Sequence, residues 1–106
     1  MKRAFVLLML CGSAHAEFWT GNQLLSKMTG DTNAQLLAIG YVTGAADAMT
    51  GTRYCPPVGV TVGQVYDMTK RLLEGAPGQR HQSGDMFVAA AMSEWPCKQQ
   101  SRGNPI

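Results

Sequence analysis

The chain of 106 residues is short of the features that announce most functions. No apolar run approaches the ~20 residues needed to span a bilayer; Phe5-Val6-Leu7-Leu8-Met9-Leu10 near the start is short. There is no glycine-rich phosphate loop, no closely spaced metal-ligand pair and no nucleophile beside an evident base. Histidine occurs only as His15 and His81, and cysteine only as Cys11, Cys55 and Cys97. Strand signals are poor. The β-favouring stretch Val58–Val62 contains Gly59 and follows Pro56-Pro57. Internal repeats, linkers and a second domain are also missing. What remains is one small, largely helical domain with little equipment for catalysis.

The first sixteen residues have the form of an export signal. Lys2 and Arg3 precede the apolar run, and Ala14-His15-Ala16 offers small residues where a signal peptidase reads. Cleavage is expected before Glu17. The rival reading, lipidation at Cys11, has Leu10 where a small residue is needed. Nine Lys and Arg against seven Asp and Glu give the whole chain a charge of +2. Lys2 and Arg3 leave with the signal, so the mature chain is expected to be neutral. It has no electrostatic footprint for nucleic acid or an anionic membrane. The pattern predicts an exported protein with no stable membrane anchor: residues 1–16 signal, 17–97 domain, 98–106 a frayed polar tail.

Export leaves Cys55 and Cys97, and a disulfide is their simplest use in an oxidising compartment. It would close a loop of 43 residues. Chain entropy assigns such a closure roughly 4 kcal/mol, a large share of a usual stability of about 5–15 kcal/mol. The alternative is a zinc site from Cys55, Cys97 and His81, which lacks close spacing and a fourth ligand.

Four helices are predicted, giving an all-α, four-helix, bundle-like fold. Thr20-Gly21-Asn22-Gln23, Thr32-Asn33-Ala34-Gln35 and Thr61-Val62-Gly63-Gln64 each read as a capping box before an apolar run of helical period. Trp19 is placed to staple onto Leu24. The helices are expected over about 21–28, after Thr32 to about Met49, and over about 62–74. The third carries a stripe of Val62, Val65, Tyr66, Thr69, Leu72 and Leu73. The fourth begins near Ser83, with Asp85 suited to the helix N-terminus. It places Val88, Ala91, Met92 and Trp95 on one face and stops at Pro96. Residues 54–60 read as an extended connector.

Gly40, Gly44, Ala48 and Gly51 lie near one face of the second helix, with Ala45 beside them. Interior glycine costs about 1 kcal/mol relative to alanine, so the pair needs a reason. Close approach of another helix of the chain is the first; a homodimer face is the second. Asp47 on this face reads as a buried acid paired with Arg53 or Arg71, ahead of a catalytic acid. Ten residues from Gly75 to Gly84 are long for a helix connection. They offer Gln79, Arg80 and His81 as contact residues between glycines, or else form a loose surface loop. His81 is more simply a contact residue than a catalyst. No cofactor or metal is expected.

Several blocks together resemble the Rap/Tai immunity proteins of bacterial type VI secretion. They are Thr20-Gly21-Asn22-Gln23-Leu24-Leu25, Gly40-Tyr41-Val42-Thr43-Gly44-Ala45-Ala46-Asp47-Ala48, Cys55 through Gln64, Arg80-His81 and Trp95-Pro96-Cys97. The resemblance implies a helical periplasmic domain, often a homodimer. It implies a non-catalytic inhibitor that occludes the cleft of a peptidoglycan amidase toxin with a protruding part. Two departures stand out. A second cysteine pair, carried by many relatives near Met28 and Ala38, is missing. A charged lead-in to the loop is replaced by Gly75-Ala76-Pro77-Gly78. A small periplasmic acid-stress chaperone is the competing function class.

Overall fold

The computed structural model describes residues 18–98. The expected signal, its cleavage point, Cys11 and the tail from residue 99 lie outside the described residues. Four α-helices follow in order: α1 (Gly21–Met28), α2 (Thr32–Met49), α3 (Val62–Gly75) and α4 (Gly84–Met92). A single 3₁₀ turn, Pro77–Gln79, sits between α3 and α4. The described residues contain no strand, only isolated bridges. The fold is a small all-α domain in which every helix touches the other three.

Local chemistry sets the helix starts. Thr20 accepts from the Gln23 amide at 3.2 Å, and the Gln23 side chain accepts from the Thr20 amide at 2.9 Å. Thr61 and Gln64 repeat this reciprocal pair. The box expected at Thr32 does not form. Asp31 caps α2 instead, accepting from the Ala34 amide at 2.9 Å. Its position one residue earlier makes Thr32 the first helical residue. The Gln35 side chain donates to the Gly30 carbonyl at 2.9 Å rather than closing a box. An acidic cap also complements the positive end of the helix dipole.

The core draws on all four helices. α1 contributes Leu24 and Met28; α2 contributes Ala38, Val42, Ala46 and Met49; α3 contributes Val65 and Leu73; α4 contributes Phe87, Val88, Ala91 and Met92. Thr69 is fully buried among them, and its hydroxyl donates to the Val65 carbonyl at 2.8 Å, so it leaves no unmade bond. The α3 stripe is narrower than expected, since Val62 and Leu72 stay exposed at its edges. α4 ends at Met92, not at Pro96. The residue before a proline is disfavoured in helical geometry, so Trp95 leaves the helix, yet it packs on the core from the following turn.

The α2–α3 connector is less extended than expected. The Val60 amide donates to the Pro57 carbonyl across a turn whose third residue, Gly59, has φ +107°. That left-handed value is what glycine permits at this turn position. Tyr54 alone pairs in β fashion, with Thr50 and with Pro96. Beside it Cys55 and Cys97 are disulfide-bonded, with Cα atoms 4.7 Å apart. Both sulfurs are thereby used, and neither is a thiolate for the zinc alternative.

The cap assignment predicts a contrast in urea unfolding. Asp31→Ala loses about 0.5–2 kcal/mol, whereas Thr32→Ala leaves stability nearly unchanged.

Candidate functional site: the loop between α3 and α4

The long connection between α3 and α4 is ordered by the first turn of α1. The opening amides of a helix have no partner within the helix. In α1 the Gly21 amide donates to the Gln82 carbonyl at 2.8 Å, and the Asn22 amide donates to the Arg80 carbonyl at 2.8 Å. Thr20 answers the next amide, that of Gln23. In return the Gly84 amide donates to the Trp19 carbonyl at 2.8 Å, and Thr20 bridges Ser83. The loop is therefore built onto the helix start and is not the loose alternative.

Gly21 makes this seat possible. A Cβ there would lie 2.8 Å from Phe87, 2.9 Å from Leu73 and 3.2 Å from the Arg80 Cα. The first two separations are closer than real Cβ atoms show, so the Phe87 and Leu73 side-chain ends would have to shift, and the third, to backbone, is tight. Within the loop, Pro77 opens the 3₁₀ turn, Gln79 donates its amide to Ala76, and the Gln82 side chain donates to that of Gln79 at 2.6 Å.

The three residues picked out by sequence take different places. Gln79 and His81 are exposed. Arg80 is half-buried and turns inward, with Nη1 donating to the Leu73 carbonyl at 3.1 Å. Its Nε is shut from solvent and meets no acceptor among the described residues. A cation at the last turn of α3 also faces the negative end of that helix. Arg80 thus ties the loop to α3, while Gln79 and His81 face outward. Ser83 donates to Asp85 at 2.6 Å, and no hydrogen bond links it to His81.

Beside the loop, Trp19 stacks on Tyr41 with ring centroids 5.0 Å apart, and the Lys27 ammonium lies 5.5 Å from the Trp19 ring. Besides this stack, Trp19 packs against the core to which Leu24 belongs. With Asn22, Gln23 and Ser26, Trp19 and Lys27 line a shallow depression of about 320 Å³. Burial raises the Tyr41 pKa, and the carboxylate of Asp85 raises it further. The neutral phenol is thereby favoured.

The small-residue face of α2 looks outward. Nothing lies within 4 Å of a Cβ placed on Gly40 or Gly44, so the close intrachain approach expected there is not made. Asp47 and Ala48 are exposed, and Asp47 is not the buried acid that was expected. Leu36 is 60% exposed and Leu37 55%. Sequence reasoning overlooked these two leucines. Their signal was a stretch from Thr32 to Ala46 without one charged side chain. Gly21 was overlooked as well, since a close approach leaves no mark in periodicity.

No group of three or more acidic, histidine or cysteine side chains able to hold a metal occurs among the described residues. No described helix is long and apolar enough to cross a membrane. The order of elements and the bridge can then be set against known proteins. A family model for Rap1a immunity proteins matches residues 20–97, from the cap of α1 to the second bridged cysteine.

The chain belongs to the Rap1a immunity protein family.

No protein of curated function matches it. Membership implies an inhibitor that binds a toxin protein and does no chemistry on it, consistent with the resemblance read from the sequence blocks. The matched span takes in α1, the α3–α4 loop and both cysteines of this Rap1a family chain. The seat predicts that Gly21→Ala destabilises the domain by about 1–3 kcal/mol through overpacking, measured by thermal or urea unfolding.

Proposed function

We propose that this Rap1a family protein is a periplasmic immunity protein that occludes a peptidoglycan amidase toxin with the α3–α4 loop. The observation that carries the reading is the loop's attachment to α1, which sets Gln79 and His81 outward on a prefolded support. A recognition element held in shape before contact spends less of its binding energy on ordering. The amidase as target follows from the family resemblance. The signal-like first sixteen residues support the periplasm, where such a toxin would meet its substrate.

A homodimer through α2 accords with the same reading. Its outward face is uncharged from Thr32 to Ala46 and leaves two glycines bare. A two-fold axis between Gly40 and Gly44 would set each Gly40 against Gly44 of the partner copy and each Leu36 against Ala48 of the partner copy. Leu36 then meets a small side chain, as a self-complementary contact requires, while the exposed Asp47 falls opposite Leu37 and keeps its carboxylate toward solvent in such a pairing.

Two experiments test these readings. In calorimetry against an amidase toxin that the mature protein inhibits, His81→Ala weakens binding about tenfold or more, about 1.4 kcal/mol, with an unchanged melting temperature. Arg80→Ala lowers both affinity and melting temperature. Equal affinity of wild type and His81→Ala removes the loop tip from recognition. In light scattering, the mature protein has twice the monomer mass and Leu37→Asp has the monomer mass with full helical content. A monomeric wild type rules out the α2 contact.

A further inference from the structure

We propose that the Cys55–Cys97 bridge is a thiol-accessible latch, opened by attack at Cys55, that releases Cys97 from the connector around Cys55 while the four helices and Trp95 stay packed. The inference does not depend on the toxin reading. The bridge lies outside the hydrophobic core: neither cysteine belongs to it, Cys55 is exposed and Cys97 is half-buried. Both cysteines line an open depression of about 530 Å³, together with Glu94, Trp95, Pro96 and Lys98. An incoming thiolate therefore has room to approach, and the more exposed residue is Cys55. Exposed disulfides are the labile ones.

Next to the bridge the two segments meet through a short backbone pairing around Tyr54 and Pro96, while Tyr54 and Trp95 pack on the core. Cys55 donates its amide to the Trp95 carbonyl at 2.6 Å, and Cys97 donates to the Arg53 carbonyl at 3.5 Å. Pro56, Pro57 and Pro96 have no amide hydrogen, so the pairing cannot lengthen in either direction. The helices, by contrast, are joined through a core that includes residues from all four. Opening the bridge is thus a local event in the native state. Its effect on stability is exerted through the unfolded chain, which loses its covalent loop.

The reductant is a thiol, either a small one or one of a protein dithiol pair. Its thiolate attacks Cys55 Sγ, and a new sulfur–sulfur bond forms there. The Cys55–Cys97 bond breaks, and its electron pair leaves on Cys97 Sγ, which takes a proton from water. A second thiol then displaces Cys55 as the free thiol, and the reductant departs as its own disulfide. The protein gains two electrons and two protons in all.

Reduced glutathione is the probe. The folded, oxidised protein is incubated with it in native buffer, quenched with acid at the earliest time points and peptide-mapped. The expected adduct is on Cys55, several-fold over Cys97. Hydrogen exchange on the same samples should show the Cys55 and Cys97 amides losing protection while the amides of α1 to α4 keep theirs. An adduct mainly on Cys97, no adduct in native buffer, or loss of helix protection together with bridge opening would each overturn the proposal.

Discussion

The close seat of Gly21 governs the arrangement. With no side chain at that position, the first turn of α1 lies against Phe87, Leu73 and the backbone of Arg80. Contact at that range lets two helix-opening amides reach the loop carbonyls of Gln82 and Arg80. These amides would otherwise turn to water. The loop in turn gains two fixed points, and Arg80 adds a third by reaching the Leu73 carbonyl. A helix start, a helix end and the loop between α3 and α4 thus satisfy one another's backbone groups. The outward residues Gln79 and His81 ride on that exchange.

The remaining structure supports this corner with modest means. A domain of this size buries a small core, here assembled from alanine, valine and methionine side chains with Leu24, Leu73 and Phe87. Such a core leaves a narrow margin, and the disulfide widens it by restricting the unfolded chain rather than by filling space. A peripheral bridge and an interior core are therefore complementary. One acts on the unfolded ensemble and the other on the native packing. Inhibition by contact suits a rigid loop on a small scaffold.

Local signals in the sequence proved readable where the physics is local. The boxes at Thr20 and Thr61 depend on groups three residues apart, and both form. Asp31 and Thr32 are neighbouring caps, and the choice between them turns on the geometry of the preceding turn, which spacing does not express. The bridge was readable because the sequence offers few cysteines, and an export-type leader would leave Cys55 and Cys97 as the pair. The α2 helix was harder. It is apolar on both sides, so periodicity does not say which side meets the core. Ala38, Val42, Ala46 and Met49 took the inner face, leaving Leu36, Leu37, Gly40 and Gly44 outside. The pinning of the loop was illegible because its bonds run between backbone groups, which every residue type carries. Arg80 looked like a surface anchor for a related reason: nothing in its neighbours along the chain reports that Leu73 offers it a carbonyl.

Amide hydrogen exchange at Gly21 and Asn22 tests the central claim most directly. In the free protein both amides should exchange slowly, at rates like those of the α1 interior, because the loop already accepts their hydrogen bonds. Rapid exchange at both positions in the free protein, with protection arriving only when a toxin binds, would show that contact creates the loop's shape and would contradict the account.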